Sequence, residues 1–182
     1  MKTLFFDTET TGIHATARIT QLAWALYDGK TLVRKHCTII RPDGWEVPTE
    51  KFFLDHNMST ERCEREGIAI ADALQPFIYA YNETDLLVAH NIDFDRRMIN
   101  YEFTLADMRP NAAKPNICTM KTSVAFCKLP GKYDYKWPRL DELHAILFGN
   151  AVTDAHDAGA DVEACARCFF ELSERGVINV TV

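Results

Sequence analysis

No stretch of this sequence is apolar for long enough to cross a membrane; its longest hydrophobic runs fall far short of the roughly 18 residues a spanning helix needs. A signal-peptide core is also missing, because Met1–Phe6 meets an acid at Asp7 and reads as a short first strand. No disulfide framework is visible. Cys37, Cys63, Cys118, Cys127, Cys165 and Cys168 are scattered, and only the last two share a C-x-x-C spacing. That pair falls mid-helix by pattern, with no second C-x-x-C to complete a zinc site, so it reads as two small core residues on one helix face. These absences exclude a membrane protein and a secreted disulfide scaffold, and a cytoplasmic location without membrane contact is expected. Internal repeats, low-complexity tracts and Gly/Ser-rich linkers are absent too. The chain is therefore predicted to form one domain over residues 1–182.

Positive charge is in short supply. The net charge is −6, which argues against a generally basic nucleic-acid binder. The cations are nevertheless concentrated. Lys114, Lys121, Lys128, Lys132, Lys136 and Arg139 share one stretch with a single acid, Asp134. Its second half interleaves Lys132, Lys136 and Arg139 with Tyr133, Tyr135 and Trp137. Cations for phosphates beside aromatic faces for bases suit a single strand of nucleic acid. The competing reading places Trp137 and one tyrosine in the core, with lysines that merely solvate a loop.

What is present is a strand-rich start followed by alternation. Thr3–Thr8, Ile19–Tyr27 and Thr31–Arg41 read as strands, the last two joined by the hairpin signal Asp28-Gly29-Lys30. Ser59 is placed to cap a helix. Helical spacing follows over Ile70–Tyr81, a short buried strand over Asp85–His90, and a helix from about Phe94 to Ala106. Asn116–Met120 reads as another strand, and Leu140–Phe148 and Ala158–Arg175 as helices closed by Gly149 and Gly176. This order predicts an α/β fold with a mixed sheet and helices on its faces. The Lys128–Pro138 loop is longer than the rest and is expected to be functional or mobile.

Three acidic strings stand out: FDTETTG at Phe6–Gly12, AHNIDFD at Ala89–Asp95 and AHDAGAD at Ala155–Asp161. Asp7 and Glu9 are two apart on a strand, so both carboxylates leave one face. Unpaired acids at the end of a central strand are costly unless a cation neutralises them. Asp95 follows an apolar strand near a helix start, in the crevice position where ligands gather in α/β sheets. Asp93 competes for that role from the other side of the backbone. His156 and Asp161 are five apart, about 140° around a regular helix, and would not share a face. With Asp157 as N-cap, His156 lies before the helix and Asp161 about one turn inside. Its reference pKa near 6.5 suits a histidine to act as a general base.

In this order the strings resemble the motifs of the DEDDh-type 3′–5′ exonucleases, and DTETTG is most similar to the proofreading branch. His90-Asn91-x-x-Phe94-Asp95 resembles the second family motif, which selects Asp95 over Asp93; His156-x-Ala158-x-x-Asp161 resembles the third. The similarity continues through Ile19–Ala23, His56–Ser59, Tyr101–Phe103 and Leu140–Gly149. Asn57 departs from it, since many relatives have glycine there. The resemblance implies a ribonuclease H-like fold, with a five-stranded sheet of order 3-2-1-4-5, strand 2 antiparallel, and helices on both faces. It implies Asp7, Glu9, Asp95 and Asp161 as ligands of two divalent cations, Mg2+ with Mn2+ as a substitute, and His156 as base. It also implies that Thr8, Thr10, Gly12, Ile13, His56 and Phe94 line the pocket for the terminal nucleotide. Lys132, Lys136 and Trp137 would extend the substrate track.

Three functions compete on this reading. The first is a metal-dependent exonuclease releasing nucleoside monophosphates from a 3′ end, with single-stranded DNA preferred over an RNA-trimming role. The second is a non-catalytic nucleic-acid-binding module on the same fold. The third is an acidic cation-binding or purely structural domain. A degenerate module has no need of all five chemical residues, which favours the first. With no polymerase domain in the sequence, the chain is expected to act alone, to self-associate or to join a polymerase non-covalently.

Overall fold

The structure is a computed structural model that describes residues 1–150 and 157–180. β1 (Lys2–Thr10) is central, its apolar and aromatic first half well suited to a pleated surface buried on both sides. β2 (Ile19–Asp28) and β3 (Thr31–Ile39) form a hairpin that turns through Gly29 at φ 56°, a left-handed conformation in which glycine has no Cβ to clash. Two short helices follow, α1 (Lys51–Asp55) and α2 (Thr60–Glu66), and then α3 (Ile70–Glu83). β4 (Leu86–Ala89) leads into α4 (Ile92–Leu105), and β5 (Asn116–Cys118) into α5 (Thr119–Thr122) and α6 (Val124–Cys127). α7 (Leu140–Phe148) and α8 (Ala158–Glu174) complete the described elements. None of these helices is long and apolar enough to cross a membrane.

The sheet order is β3-β2-β1-β4-β5, with β2 antiparallel to both neighbours and β1, β4 and β5 parallel. This is the ribonuclease H-like arrangement that the resemblance implied. Alternation along β1 divides the core in two. Leu4 and Phe6 meet Leu74 and Phe77 of α3 and Met98, Ile99 and Phe103 of α4. Phe5 points the other way, onto Leu143 of α7 and Val162, Cys165 and Phe169 of α8. Cys165 and Cys168 are both buried there as packing residues.

Several element ends differ from the sequence reading. The third strand stops at Ile39 rather than Arg41, and the last at Cys118 rather than Met120, because Thr119 opens a helical turn. α4 begins two residues before the expected Phe94, because Asn91 takes a left-handed conformation at φ 69° and starts the helix at once. α3 runs through Pro76, which has no N–H to donate to the carbonyl four residues before it, so the helix continues there with one hydrogen bond fewer. Ser59 does cap α2, its hydroxyl accepting the Arg62 N–H.

One buried ion pair locks the β1–β2 connection to α4. Glu102 is almost fully buried and accepts from Arg18 Nε at 2.9 Å, Arg18 Nη2 at 3.1 Å and the Ile19 N–H at 3.1 Å. The same connection returns on itself through Thr11, whose N–H donates to the Arg18 carbonyl while its hydroxyl accepts the Arg18 N–H. Removing one partner of such a pair leaves an uncompensated buried charge, at a cost of about 3–5 kcal/mol. Arg18→Ala is expected to lose roughly that much in a urea titration, and Arg18→Met combined with Glu102→Met much less. Equal losses in the two variants would show that the pair does not carry this stability.

Candidate active site

β1 outruns its parallel neighbour. Its ladder with β4 spans Thr3–Phe5, whereas its ladder with β2 continues to Thr10. Asp7 and Glu9 therefore emerge beyond the end of β4, at the C-terminal edge of the parallel strands where crevices form. The period of two turns both toward the face that carries Phe5 and is covered by α8. The first turn of α8 contributes Asp161. Carboxylate oxygens of Asp7, Glu9 and Asp161 all lie within 4.8 Å of one another. Asp157 fixes that turn as N-cap, accepting the Ala160 N–H at 3.1 Å on its side chain and the Asp161 N–H at 2.9 Å on its carbonyl.

Asp95 reaches the same edge from the opposite face. It is buried one turn into α4, and its Oδ1 accepts the Thr8 N–H at 3.0 Å and the Thr8 hydroxyl at 2.8 Å. β4 has ended by this point, so the Asp95 carboxylate takes a β1 N–H that no parallel strand covers. Asp93 is exposed on the other side of α4 and pairs with Lys121. Thr8 is buried and spends its hydroxyl on Asp95.

The four acids share one electrostatic field. Burial, followed by the charges of Asp95, Asp161 and Glu9, holds the Asp7 carboxyl well above its ordinary range. Burial raises Glu9 to about 8, with Asp161 and Asp95 adding to the shift. Burial also raises Asp95 to about 7 against the opposing Thr8 hydrogen bonds, and Asp161 pushes the same way. An all-carboxylate donor set poised in this manner fits a hard divalent cation such as Mg2+, which prefers oxygen ligands.

The other residues singled out in the sequence are distributed around this edge. His56, Phe52, Phe53 and Met58 meet Glu9 and Thr10 at one depression. His56 closes α1, with Nδ1 2.6 Å from the Phe52 carbonyl. Asn57 is left-handed at φ 51°, a conformation that glycine adopts freely and that asparagine tolerates best among the other residues, so asparagine suits this position. The Thr10 hydroxyl donates to the Gly12 carbonyl at 2.7 Å. Ile13 is 83% exposed, and its carbonyl accepts from Arg97, whose guanidinium also lies over Phe94. Lys132, Lys136 and Trp137 lie on the separate 128–139 segment and are exposed. His156 lies outside the described residues.

Sequence reasoning gave no role to Gln21. This buried β2 residue lies opposite Glu9 in the antiparallel register. Its Oε1 accepts the Ala158 N–H at 3.2 Å, and its Nε2 donates to Asp157 Oδ2 at 3.0 Å. Gln21 thus ties the start of α8, and with it Asp161, to the strand beside Glu9. The available signal was one amide inside Ile19–Leu26, a run that is apolar apart from Thr20 and Gln21.

The sequence matches the exonuclease family model RNase_T over residues 4–169. It is 29% identical over 166 residues to the DNA polymerase III subunit epsilon of Treponema pallidum (strain Nichols), covering 90% of this chain and 73% of that protein. Its fold is similar to that of exonuclease I, with TM-score 0.80 at 20% identity over 95% of this chain. An E. coli exonuclease I complex with a dT13 oligonucleotide gives TM-score 0.78 at 19% identity, again over 95% of this chain. This chain spans only 41% of the exonuclease I chain in each case. The family match takes in both β1 acids, Asp95 and Asp161, and on that ground the chain belongs to the exonuclease family, that of the 3′–5′ exonucleases its acidic strings resemble.

Proposed function

We propose that this family member removes nucleoside monophosphates from the 3′ end of single-stranded DNA, using two divalent cations and a histidine base. The observation that carries the reading is the convergence of Asp7, Glu9 and Asp161 from two separate elements, with Asp95 arriving from a third. Asp7, Glu9 and Asp161 would hold one cation, and Asp95 would serve a second beside Asp7. Bound there, Mg2+, or Mn2+ in its place, would supply positive charge to the attacking and leaving oxygens of the phosphodiester.

The chain's own residues do the remainder. Thr8 fixes Asp95 through two hydrogen bonds, so that this carboxylate does not have to be ordered when substrate arrives. Gln21 and Asp157 fix the backbone turn from which Asp161 projects. Thr10, Gly12, Ile13, His56 and Phe94 would hold the last nucleotide. His156 would take a proton from the attacking water, a contribution typically worth about 10²–10⁴ in rate. Likeness to a polymerase III epsilon subunit supports a non-covalent polymerase partner, with self-association as the alternative.

Incubation with a 5′-labelled single-stranded DNA is expected to give a ladder shortened from the 3′ end, abolished by EDTA. Asp7→Asn should lose turnover while keeping its fold, with a metal-free melting temperature at neutral pH no lower than the parent's. Near-normal rates for that variant in Mg2+ would overturn the ligand assignment. His156→Ala should lose roughly 10²–10⁴-fold in rate with little change in metal affinity; equal rates at neutral pH would remove the base from the proposal.

The raised carboxyls also make a prediction about stability. Asp95 and Glu9 hold protons in the folded state up to about 7 and about 8, against ordinary values of 3.8 and 4.5. Between those limits the folded protein binds more protons than the unfolded chain, so stability falls as pH rises. Metal-free protein should therefore melt at progressively lower temperature from about pH 4 to pH 8, and Mg2+ should restore it at the upper end far more than at the lower. A metal-free melting temperature that stays flat or climbs across that window would contradict the electrostatic description.

A further inference from the structure

The 128–139 segment is not the slack loop its length suggests. Lys128 closes α6, Pro130 and Tyr135 pair as an isolated bridge, and the Gly131 N–H donates to the Asp134 carbonyl at 2.8 Å. The Lys136 N–H donates to the Leu129 carbonyl at 2.9 Å, which completes a small hairpin. A Cβ at Gly131 would lie 2.3 Å from the Asp134 carbonyl oxygen, so only glycine admits this turn. Where the hairpin leaves toward α7, Pro138 is buried and its carbonyl lies 3.0 Å from His90 Nε2. The Thr119 hydroxyl lies 2.9 Å from His90 Nδ1. A carbonyl only accepts, so Nε2 carries the proton and Nδ1 accepts from Thr119. His90 directly follows β4, at the edge of the sheet where Asp7 and Glu9 emerge. The exit of the hairpin is thus pinned to the end of β4, the strand next to the one that carries Asp7 and Glu9.

Its surface is aromatic more than it is basic. Tyr133 is 90% exposed, Trp137 62% and Tyr135 46%. The reading that places Trp137 in the core is therefore wrong. Most of the nearby cations are already engaged. Lys136 pairs with Glu142, Arg139 with Asp141 and Lys121 with Asp93, while Lys114 donates to the Asn82 and Thr84 carbonyls. Among the described residues, Lys128 and Lys132 of this stretch have no carboxylate partner, and Lys132 lies over the Tyr133 ring at 5.1 Å. A phosphate track would leave its cations free, whereas a stacking surface would leave its rings free.

We propose that this hairpin is a stacking platform for the unpaired bases of the substrate strand, upstream of the nucleotide held at the carboxylates. Tyr133 and Trp137 supply the faces and Lys132 meets a phosphate between them. The inference rests on the single-strand exonuclease reading, and its occupant is that strand. Stacking on aromatic side chains requires bases free of a duplex and tolerates any sequence.

Two substrates separate the inference from the reading beneath it. The p-nitrophenyl ester of thymidine 5′-monophosphate has a scissile phosphodiester but no upstream strand. A single-stranded oligodeoxynucleotide has both. Tyr133→Ala or Trp137→Ala alone should raise KM for the oligonucleotide by roughly 5- to 150-fold, the loss expected for one stacked base, and the two combined should raise it further. Turnover number, hydrolysis of the ester and melting temperature should stay at parent values, and the salt dependence of KM should change little. Phenylalanine at both positions should retain most of the affinity. An unchanged oligonucleotide KM in an active protein would overturn the platform, as would an equal loss on the ester. A parent inactive on both substrates would instead overturn the exonuclease reading.

Discussion

Asp7, Glu9, Asp95 and Asp161 repel one another across one partly buried edge of the sheet, and the surrounding structure holds them there nonetheless. The carboxyls of Asp7, Glu9 and Asp95 are pushed toward the protonated form by burial first and by the neighbouring acids second, so the ionised cluster favours a cation beside it. Left to themselves, side chains in that condition would turn to solvent. They are prevented from doing so by hydrogen bonds that belong to the scaffold: Thr8 for Asp95, and Asp157 with Gln21 for the turn that carries Asp161. The strain of like charge is thus supported by neutral donors, which leaves the charge itself available to cations.

β1 makes the arrangement feasible because it has two faces and an open end. Its odd residues from Phe5 through Glu9 face α8, and its even residues face α3 and α4. A helix on each face can therefore bring one acid to the same strand end without competing for space. The early stop of β4 opens the β1 flank at Thr8, where Asp95 docks. Two turns further along the same buried face of α4, the Arg18–Glu102 pair anchors the connection that carries Gly12 and Ile13. Rigid tethers on both sides of the crevice are what a reaction dependent on positioning requires.

Particular residues show how far the sequence could be read. The period-two placement of Asp7 and Glu9, the Asp157 cap, the Ser59 cap and the burial of Cys165 and Cys168 follow from local rules of strand and helix geometry. The overall strand order came from the family resemblance and not from those local rules, which reached only a mixed sheet with helices on its faces. The charge reading of Lys114–Arg139 fared differently. The sequence shows six cations near one acid, but it does not show that Asp93, Asp141 and Glu142 come round to meet three of them. Those partners lie outside the stretch or at its far boundary, so a local charge count overstates the free charge.

Sequence was therefore sufficient for properties that depend on neighbours a few residues apart: alternation, caps, turns, and the identity of the acids that repeat a family pattern. Tertiary structure was needed for properties that depend on pairing across the chain. It gave Gln21 a role beside residue 158, Thr8 a role beside residue 95 and His90 a role beside residue 138. It also showed that the aromatic rings of the 128–139 hairpin lie outside the core while most of the neighbouring cations are engaged. The physical reason is that hydrogen bonds and ion pairs act over a few ångströms of space, and only the folded sheet brings residues so far apart in the chain within that distance.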